Sequence, residues 1–120
     1  MTVSLDELAR RVEEFGSHPF LVTTSADLRA HVVSVTVYFD GAQFSFCAGR
    51  TSRANLANSG LLTLLWPGTG GAYGLIVDGV AHLDGDAADA VTVTPTRAVL
   101  HRLADAAEDL PSCVRIESMS

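Results

Sequence analysis

Hydrophobic and polar residues follow short periods along most of this chain, and the period changes from helical to strand-like near the N-terminus. Apolar residues recur at helical spacing from Leu5 to Phe15, behind an S-x-x-E capping sequence that starts at Ser4. This pattern predicts an amphipathic helix over 5–15 that ends at Gly16. We expect the helix to cover an edge or an end of a sheet.

The rest of the chain carries the two-residue alternation or the short apolar runs that are typical of strands. Asp40-Gly41 is a strong hairpin signal between the second and third strands. The second strand has one apolar face, while its other face mixes Val32, Ser34, Thr36 and Tyr38 and would suit a partner subunit, a ligand or solvent. The predicted strands cover 19–25, 30–39, 43–47, 61–66, 75–83 and 91–101.

Two features of the later strands leave alternatives open. Gly79 predicts a bulge or a close backbone approach. The Thr94-Pro95 pair either starts a helix or lies in a strand that continues past the proline at an edge or bulge. We favour a strand to about His101, because the family similarity described below supports it. The acidic tail over 103–120 is predicted to be irregular.

Together these elements predict a mainly β fold in a single domain over 1–120. The expected architecture is a small barrel of about six antiparallel strands, with an N-terminal helix and a short helix after the third strand.

A polar turn, G-R-T-S-R, follows the third strand and opens the short helix. Thr51 or Ser52 is the predicted N-cap. The first turn of a helix has unpaired N–H groups and partial positive charge, so Arg50 and Arg53 are unfavourable there unless an anion lies among them. Phosphate is the usual anion in such places. The alternative is that both arginines are solvated on a surface turn.

Composition narrows the function classes. The 120 residues are 48% hydrophobic, which is ample for a core, and they contain no lysine. The net charge of −6 makes nucleic acid an unexpected partner. No apolar run approaches the ~20 residues of a membrane span, and the N-terminus lacks a signal-peptide pattern. Cys47 and Cys113 lie far apart and fit reduced thiols in a cytoplasmic protein.

Several common site motifs are absent. There is no G-x-S-x-G elbow, and a Walker A loop needs a lysine. The loop PGTGGAYG is not a dinucleotide fingerprint, because Tyr73 replaces the third glycine and no helix follows. The four histidines lack zinc spacing, so no metal site is predicted. Trp66 is either a core residue or a stacking platform.

Four pieces in this order resemble the pyridoxamine 5′-phosphate oxidase-like superfamily, especially its short actinobacterial-type members. The pieces, which span about residues 5–102, are FLVTTSADLRAHVVSVTV, FDGAQFSFCAGRTSRANLANSGLLTLLWP, GLIVDGVAHLDGD and VTVTPTRAVLHR. The resemblance implies a split β-barrel homodimer and a flavin or deazaflavin oxidoreductase. The implied cofactor is FMN, or alternatively F420, in a groove between the subunits.

The resemblance also implies cofactor contacts by position. The second strand would lie along the isoalloxazine ring, and the turn after the third strand would hold the phosphate. The implied residues, to which we add Trp66, are His31, Val32, Val33, Ser34 and Val35 for the ring and Arg50, Thr51, Ser52, Arg53 and Asn55 for the phosphate.

This chain departs from the family pattern in two ways. Many members carry a lysine in the phosphate turn, so arginine must substitute here. The longer C-terminal segment that builds the substrate pocket of the true oxidase is missing, so pyridoxamine phosphate oxidation is not expected. The alternatives are a non-catalytic flavin- or F420-binding module and a degenerate dimeric split barrel without cofactor.

Overall fold

The first element is helix α1 (Leu5–Phe15), in a computed structural model that describes residues 2–85, 89–102 and 111–118. Its bounds are those predicted. The Ser4 hydroxyl accepts a hydrogen bond from the backbone N–H of Glu7 at 3.4 Å, and Gly16 ends the helix with φ 94°, a conformation that favours glycine. Leu8 is fully buried, so α1 packs its apolar face on the sheet as expected.

Eight strands and a second helix complete the described part of the chain, and each strand pairing is antiparallel. The strands pair in the order β2-β1-β5-β6-β7-β4-β3, with β8 added beside β7. This confirms the predicted mainly β fold with few helices. The elements after α1 are β1 (Phe20–Thr24), β2 (Ala30–Ser34), β3 (Tyr38–Phe39), β4 (Phe44–Cys47), α2 (Arg50–Asn58), β5 (Leu61–Trp66), β6 (Gly74–Leu83), β7 (Ala90–His101) and β8 (Cys113–Arg115).

The sheet curls because its two ends, β2 and β3, are neighbours in the chain. The connecting residues hydrogen-bond to the segment before β1: the Val35 N–H donates to the Pro19 carbonyl at 3.1 Å and the Val37 N–H to the Ser17 carbonyl at 2.8 Å. The prediction of one strand over 30–39 is therefore wrong. That stretch divides, since its first half pairs with β1 and its end pairs with β4. The predicted inward and outward alternation nevertheless persists through the bend.

The last strands settle both open alternatives. β7 runs to His101, and Pro95 lies opposite Gly79 where the register shifts, which is the predicted bulge. A Cβ at Gly79 would lie 2.4 Å from Cγ1 of Val93, so only glycine fits this approach without movement. The prediction of an irregular tail is wrong at 113–115, because β8 pairs there with β7. Residues 103–110 and 119–120 of that tail lie outside the described residues.

The inward side chains of β1, β4, β5, β6 and β7 form one apolar core, whereas the three residues of β8 are exposed. Phe44 is fully buried and its ring lies 5.9 Å from the Trp66 ring. Helix α2 packs near one end of this core, on β1 and β6. Within the described ranges, no helix has the length and apolar character needed to cross a membrane.

Candidate functional site

Helix α2 begins earlier than predicted. Its N-cap is Gly49, with φ −72° and ψ 174°, and not Thr51 or Ser52. The N–H of Arg53 donates to the Gly49 carbonyl at 3.0 Å, which closes the first helical turn. Glycine is an acceptable N-cap, and starting there turns the Ser52 side chain into the fold, where it is 1% exposed.

The first turn of α2 presents hydrogen-bond donors and contains no acidic side chain to pair with them. Gly49 offers no side-chain cap, so the N–H groups of Arg50, Thr51 and Ser52 have no capping acceptor from it. No acidic residue lies in this turn. Arg50 is exposed and has no ion-pair partner among the residues the structure describes, while the Arg53 Nε donates to the Gly49 carbonyl at 3.4 Å. The guanidinium groups, the N–H donors and the helix dipole all favour an anion here.

The opposite face of α2 is buried and polar. Asn55 donates from Nδ2 to the Thr23 Oγ1 at 3.0 Å, and both residues are buried. Thr23 is the Cα partner of His31 in the β1/β2 register. The structure therefore joins the helix to the strand that was predicted to lie along a cofactor ring, through a residue on β1.

The predicted ring strand presents its side chains to two different sides. His31 and Val33 share the face of Thr23, while Val32, which is 54% exposed, and Ser34 point to the outside of the sheet. Val35 is buried in the bend after β2. One ligand can therefore contact the side chains of only part of this set, although the strand's backbone is available to it along its edge.

A cleft of about 530 Å³ lies between the bend after β2 and the outer sides of β4 and β7. We call it the β4 cleft. Its size is that of small-ligand sites, and it brings Ser34 and Val35 near the strand that leads into α2. Cys47 in its lining precedes Arg50 by three residues, so their Cα atoms are at most about 11 Å apart. The lining residues include Ser34, Val35, Thr36, Ser45, Cys47, Asp84 and Thr92.

Trp66 is not brought to this region. It is 3% exposed at the far end of β5, about 17 Å along the strand from the end that follows α2. Its Nε1 donates to the Gly16 carbonyl at 2.9 Å, which ties the end of α1 to the sheet. The structure thus gives Trp66 the core position that the sequence left as one of two alternatives.

Two aspartates with shifted pKa values lie on hairpin turns, outside both α2 and the β4 cleft. Hydrogen bonds from the backbone N–H groups of Gln43 and Ala42 lower the pKa of Asp40. A hydrogen bond from the Ser25 hydroxyl is the largest cause that lowers the pKa of Asp27. Both shifts therefore reflect turn formation. Cys47 and Cys113 are free thiols, in agreement with the prediction.

Comparison with known proteins places the chain among mycobacterial relatives. It is 35% identical to the Mycobacterium bovis protein named "Uncharacterized protein Mb0449c", over 91% of this chain and 87% of that protein. The same figures hold for "Uncharacterized protein MT0457" of Mycobacterium tuberculosis. The chain belongs to the family of these mycobacterial proteins. No protein-family model matches it.

Solved structures share the fold at low sequence identity. A Listeria innocua protein named for pyridoxamine 5′-phosphate oxidase superposes with a TM-score of 0.66 at 13% identity, over 80% of this chain and 96% of that one. A Clostridium acetobutylicum protein related to general stress protein 26 gives 0.63 at 16% identity, over 82% and 87%. A protein named F420 reductase gives 0.55 at 17% identity, over 68% and 88%. The fold of this chain is therefore the pyridoxamine 5′-phosphate oxidase-like split barrel.

The structure also identifies a residue that the sequence reasoning missed. Thr23 lies beside the candidate site, and the sequence pattern assigned it no role beyond a place in the strand predicted over 19–25. The sequence did contain a signal. Thr23 is two positions after Leu21, so the two side chains share the face of β1 that points into the barrel. A polar side chain on such a face needs a hydrogen-bond partner, and here that partner is Asn55.

Proposed function

We propose that this protein is a cytoplasmic flavin- or deazaflavin-binding oxidoreductase that works as a homodimer and holds the cofactor phosphate at the first turn of α2. The observation that carries the proposal is this turn: Arg50 exposed without an ion-pair partner among the described residues, Arg53 beside it, and the helix N–H donors uncapped by a side chain. The proposed cofactor is FMN, with F420 as the alternative.

The residues present fit a phosphate ester. An arginine side chain offers a planar set of donors that suits phosphate geometry, and the absence of acidic residues in the first turn removes a competing partner. The Thr51 side chain is exposed and adds a hydroxyl donor. Arg50 and Thr51 would thus bind the phosphate directly, and Arg53 would support the turn through its bond to the Gly49 carbonyl.

The ring end of the cofactor would lie along β2 and the β4 cleft. The edge of β2 offers backbone groups, and the cleft adds hydroxyls from Ser34, Ser45 and Thr92. A bound flavin or deazaflavin supplies the hydride transfer itself, while the protein orients it and shields it from water. Val35, buried at the bend, would contribute an apolar wall.

The homodimer is supported by the outer face of β2, β1 and β5. The strand register puts Phe20, Val32 and Leu61 on this face, and they are 38%, 54% and 67% exposed. A stable interface needs about 1,000 Å² of buried area, and apolar side chains on three adjacent strands could provide such a surface. Beside β5, Arg97 of β7 pairs with Asp78 of β6 at 3.4 Å, which gives this face a polar border.

A second candidate, a binding module without catalysis, is favoured by the lining of the β4 cleft. Its polar side chains are mostly hydroxyls, and no histidine is among them. Both candidates share the same cofactor site, so the test has two steps. The protein is first purified without added cofactor, and any coloured compound that it releases is identified by mass spectrometry.

The second step asks whether the bound cofactor accepts electrons. NAD(P)H or reduced F420 is added to the loaded protein, and bleaching of the cofactor absorbance is followed. Bleaching that requires the protein supports the oxidoreductase. A tightly bound cofactor that neither donor reduces would favour the binding module, and failure to bind either cofactor would refute both.

A further inference from the structure

Helix α2 has little intrinsic stability. Its nine residues, RTSRANLAN, include Leu56 as their one large apolar side chain. Isolated helices shorter than about 12 residues are marginal in water, and Asn, Ser and Thr are weak helix formers. The placement of the helix must therefore depend on specific contacts with the barrel.

The buried face of α2 is mainly polar, so the docked position of the helix depends strongly on its hydrogen bonds. Ser52, Asn55 and Leu56 are its buried residues. The Asn55 Nδ2 donates to the Thr23 Oγ1 at 3.0 Å, across 32 positions in sequence, with 8% and 1% of the two residues exposed. A buried amide donor that loses its partner is costly, so this bond strongly favours one position of the helix on β1.

The same bond connects two regions that the proposed function assigns to one ligand. Thr23 pairs with His31, so β1 connects the helix that carries Arg50 to the strand β2. Asn55 lies one helical turn beyond Thr51 and Ser52. Fixing Asn55 on Thr23 therefore fixes the distance between the first turn of α2 and β2.

We infer that Thr23 is a positioning residue: through Asn55 it holds the phosphate-binding turn at the correct distance from the ring-binding strand. This inference rests on the proposed function. Thr23 itself is buried and touches no cofactor in this scheme. Removal of the Thr23 hydroxyl should let α2 leave its docked position more often. The apparent cofactor affinity is the affinity of the assembled site multiplied by the fraction of molecules in which α2 is docked, so this affinity should fall.

The test compares Thr23→Val, which keeps the side-chain shape but removes the hydroxyl, with Thr23→Ser, which keeps the hydroxyl. Thr94→Val is the control for the loss of a threonine hydroxyl away from α2: this exposed residue of β7 accepts a hydrogen bond from the Gln43 Nε2 at 3.1 Å. Two readouts are measured: hydrogen exchange of the α2 amides without ligand, and calorimetric affinity for FMN and for F420.

For Thr23→Val we expect the docking equilibrium of α2 to fall about tenfold, the effect of one buried hydrogen bond. This loss divides between the two readouts, so the fold-loss in exchange protection of the α2 amides multiplied by the fold-loss in cofactor affinity should be about ten. Thr23→Ser should restore both, and Thr94→Val should change neither. A combined loss in α2 protection and cofactor affinity below about twofold for Thr23→Val would overturn the inference alone. Failure of the wild-type protein to bind either cofactor in the same titration would overturn the proposed function, and this inference with it.

Discussion

Replacing Arg50 by alanine removes the side chain on which the proposed phosphate site most depends. Arg50 is the first residue of α2, is exposed, and has no ion-pair partner among the described residues. In the ligand-free protein the substitution breaks no described side-chain bond. It also takes a cation away from the positive end of a helix, so the ligand-free protein should be unchanged or more stable by about 0.3–1 kcal/mol.

With cofactor present the same substitution should be costly. A hydrogen bond to a charged group contributes about 1.5–3 kcal/mol, which corresponds to a roughly 10- to 150-fold loss of affinity. Solvent screening at this exposed position places the expected value toward the lower end of that range. The combination of weaker cofactor binding and undiminished ligand-free stability distinguishes a ligand contact from a structural role.

The assay is calorimetric titration of the wild-type and Arg50→Ala proteins with the cofactor that the wild type binds, together with thermal unfolding of both without ligand. Arg10→Ala is the control, because Arg10 is also exposed but lies on α1. Its affinity should equal that of the wild type. Affinities of Arg50→Ala and wild type that agree within about twofold, well below the loss expected for a charged hydrogen bond, would refute the phosphate role of Arg50.

Three further predictions concern the dimer, the bulge and the hairpin. Leu61, on the outer face of β5, is 67% exposed, and Leu61→Asp should convert the dimer into a monomer in light scattering. Leu28→Asp, in a turn where Leu28 is 84% exposed, should leave the dimer intact, and a dimer for both variants would argue against this interface. Gly79→Ala should lower the free energy of unfolding by about 1–3 kcal/mol in urea, because its Cβ would lie 2.4 Å from Val93 Cγ1, and an unchanged midpoint would contradict that packing. The pKa of Asp40 is lowered from 3.8 in the folded state, so its stabilising effect should be present above about pH 3.8 and be lost as the pH falls further. Asp40→Asn should therefore weaken the dependence of the melting temperature on pH between about pH 5 and pH 2. Equal slopes of melting temperature against pH for the variant and the wild type would exclude this cause.

The elements that the sequence predicted well are those whose evidence is local. The bounds of α1 follow from a capping box and a helical period, and both the Asp40-Gly41 hairpin and the Gly79 bulge follow from residues with special backbone preferences. The continuation of β7 through Pro95 required the family resemblance, because the local pattern allowed a helix as well.

The errors concern information that a local pattern does not contain. Residues 30–39 alternate throughout, yet the stretch divides because its two ends pair with different strands. The strand β8 forms because β7 offers it an edge for pairing. Its three residues are too few to show a strand pattern in the sequence. The link between Thr23 and Asn55 spans 32 positions and depends on how α2 docks. The predicted phosphate turn and ring strand stay proposals that ligand binding must test.

The measurement that tests the central claim most directly is titration of the ligand-free protein with FMN, with F420 and with NAD(P) as the dinucleotide control. We expect saturable binding of FMN or F420 and none of NAD(P), because the proposed phosphate site is the first turn of α2 and the sequence lacks a dinucleotide fingerprint. Saturation by neither FMN nor F420 would contradict the account and favour a split barrel without a cofactor.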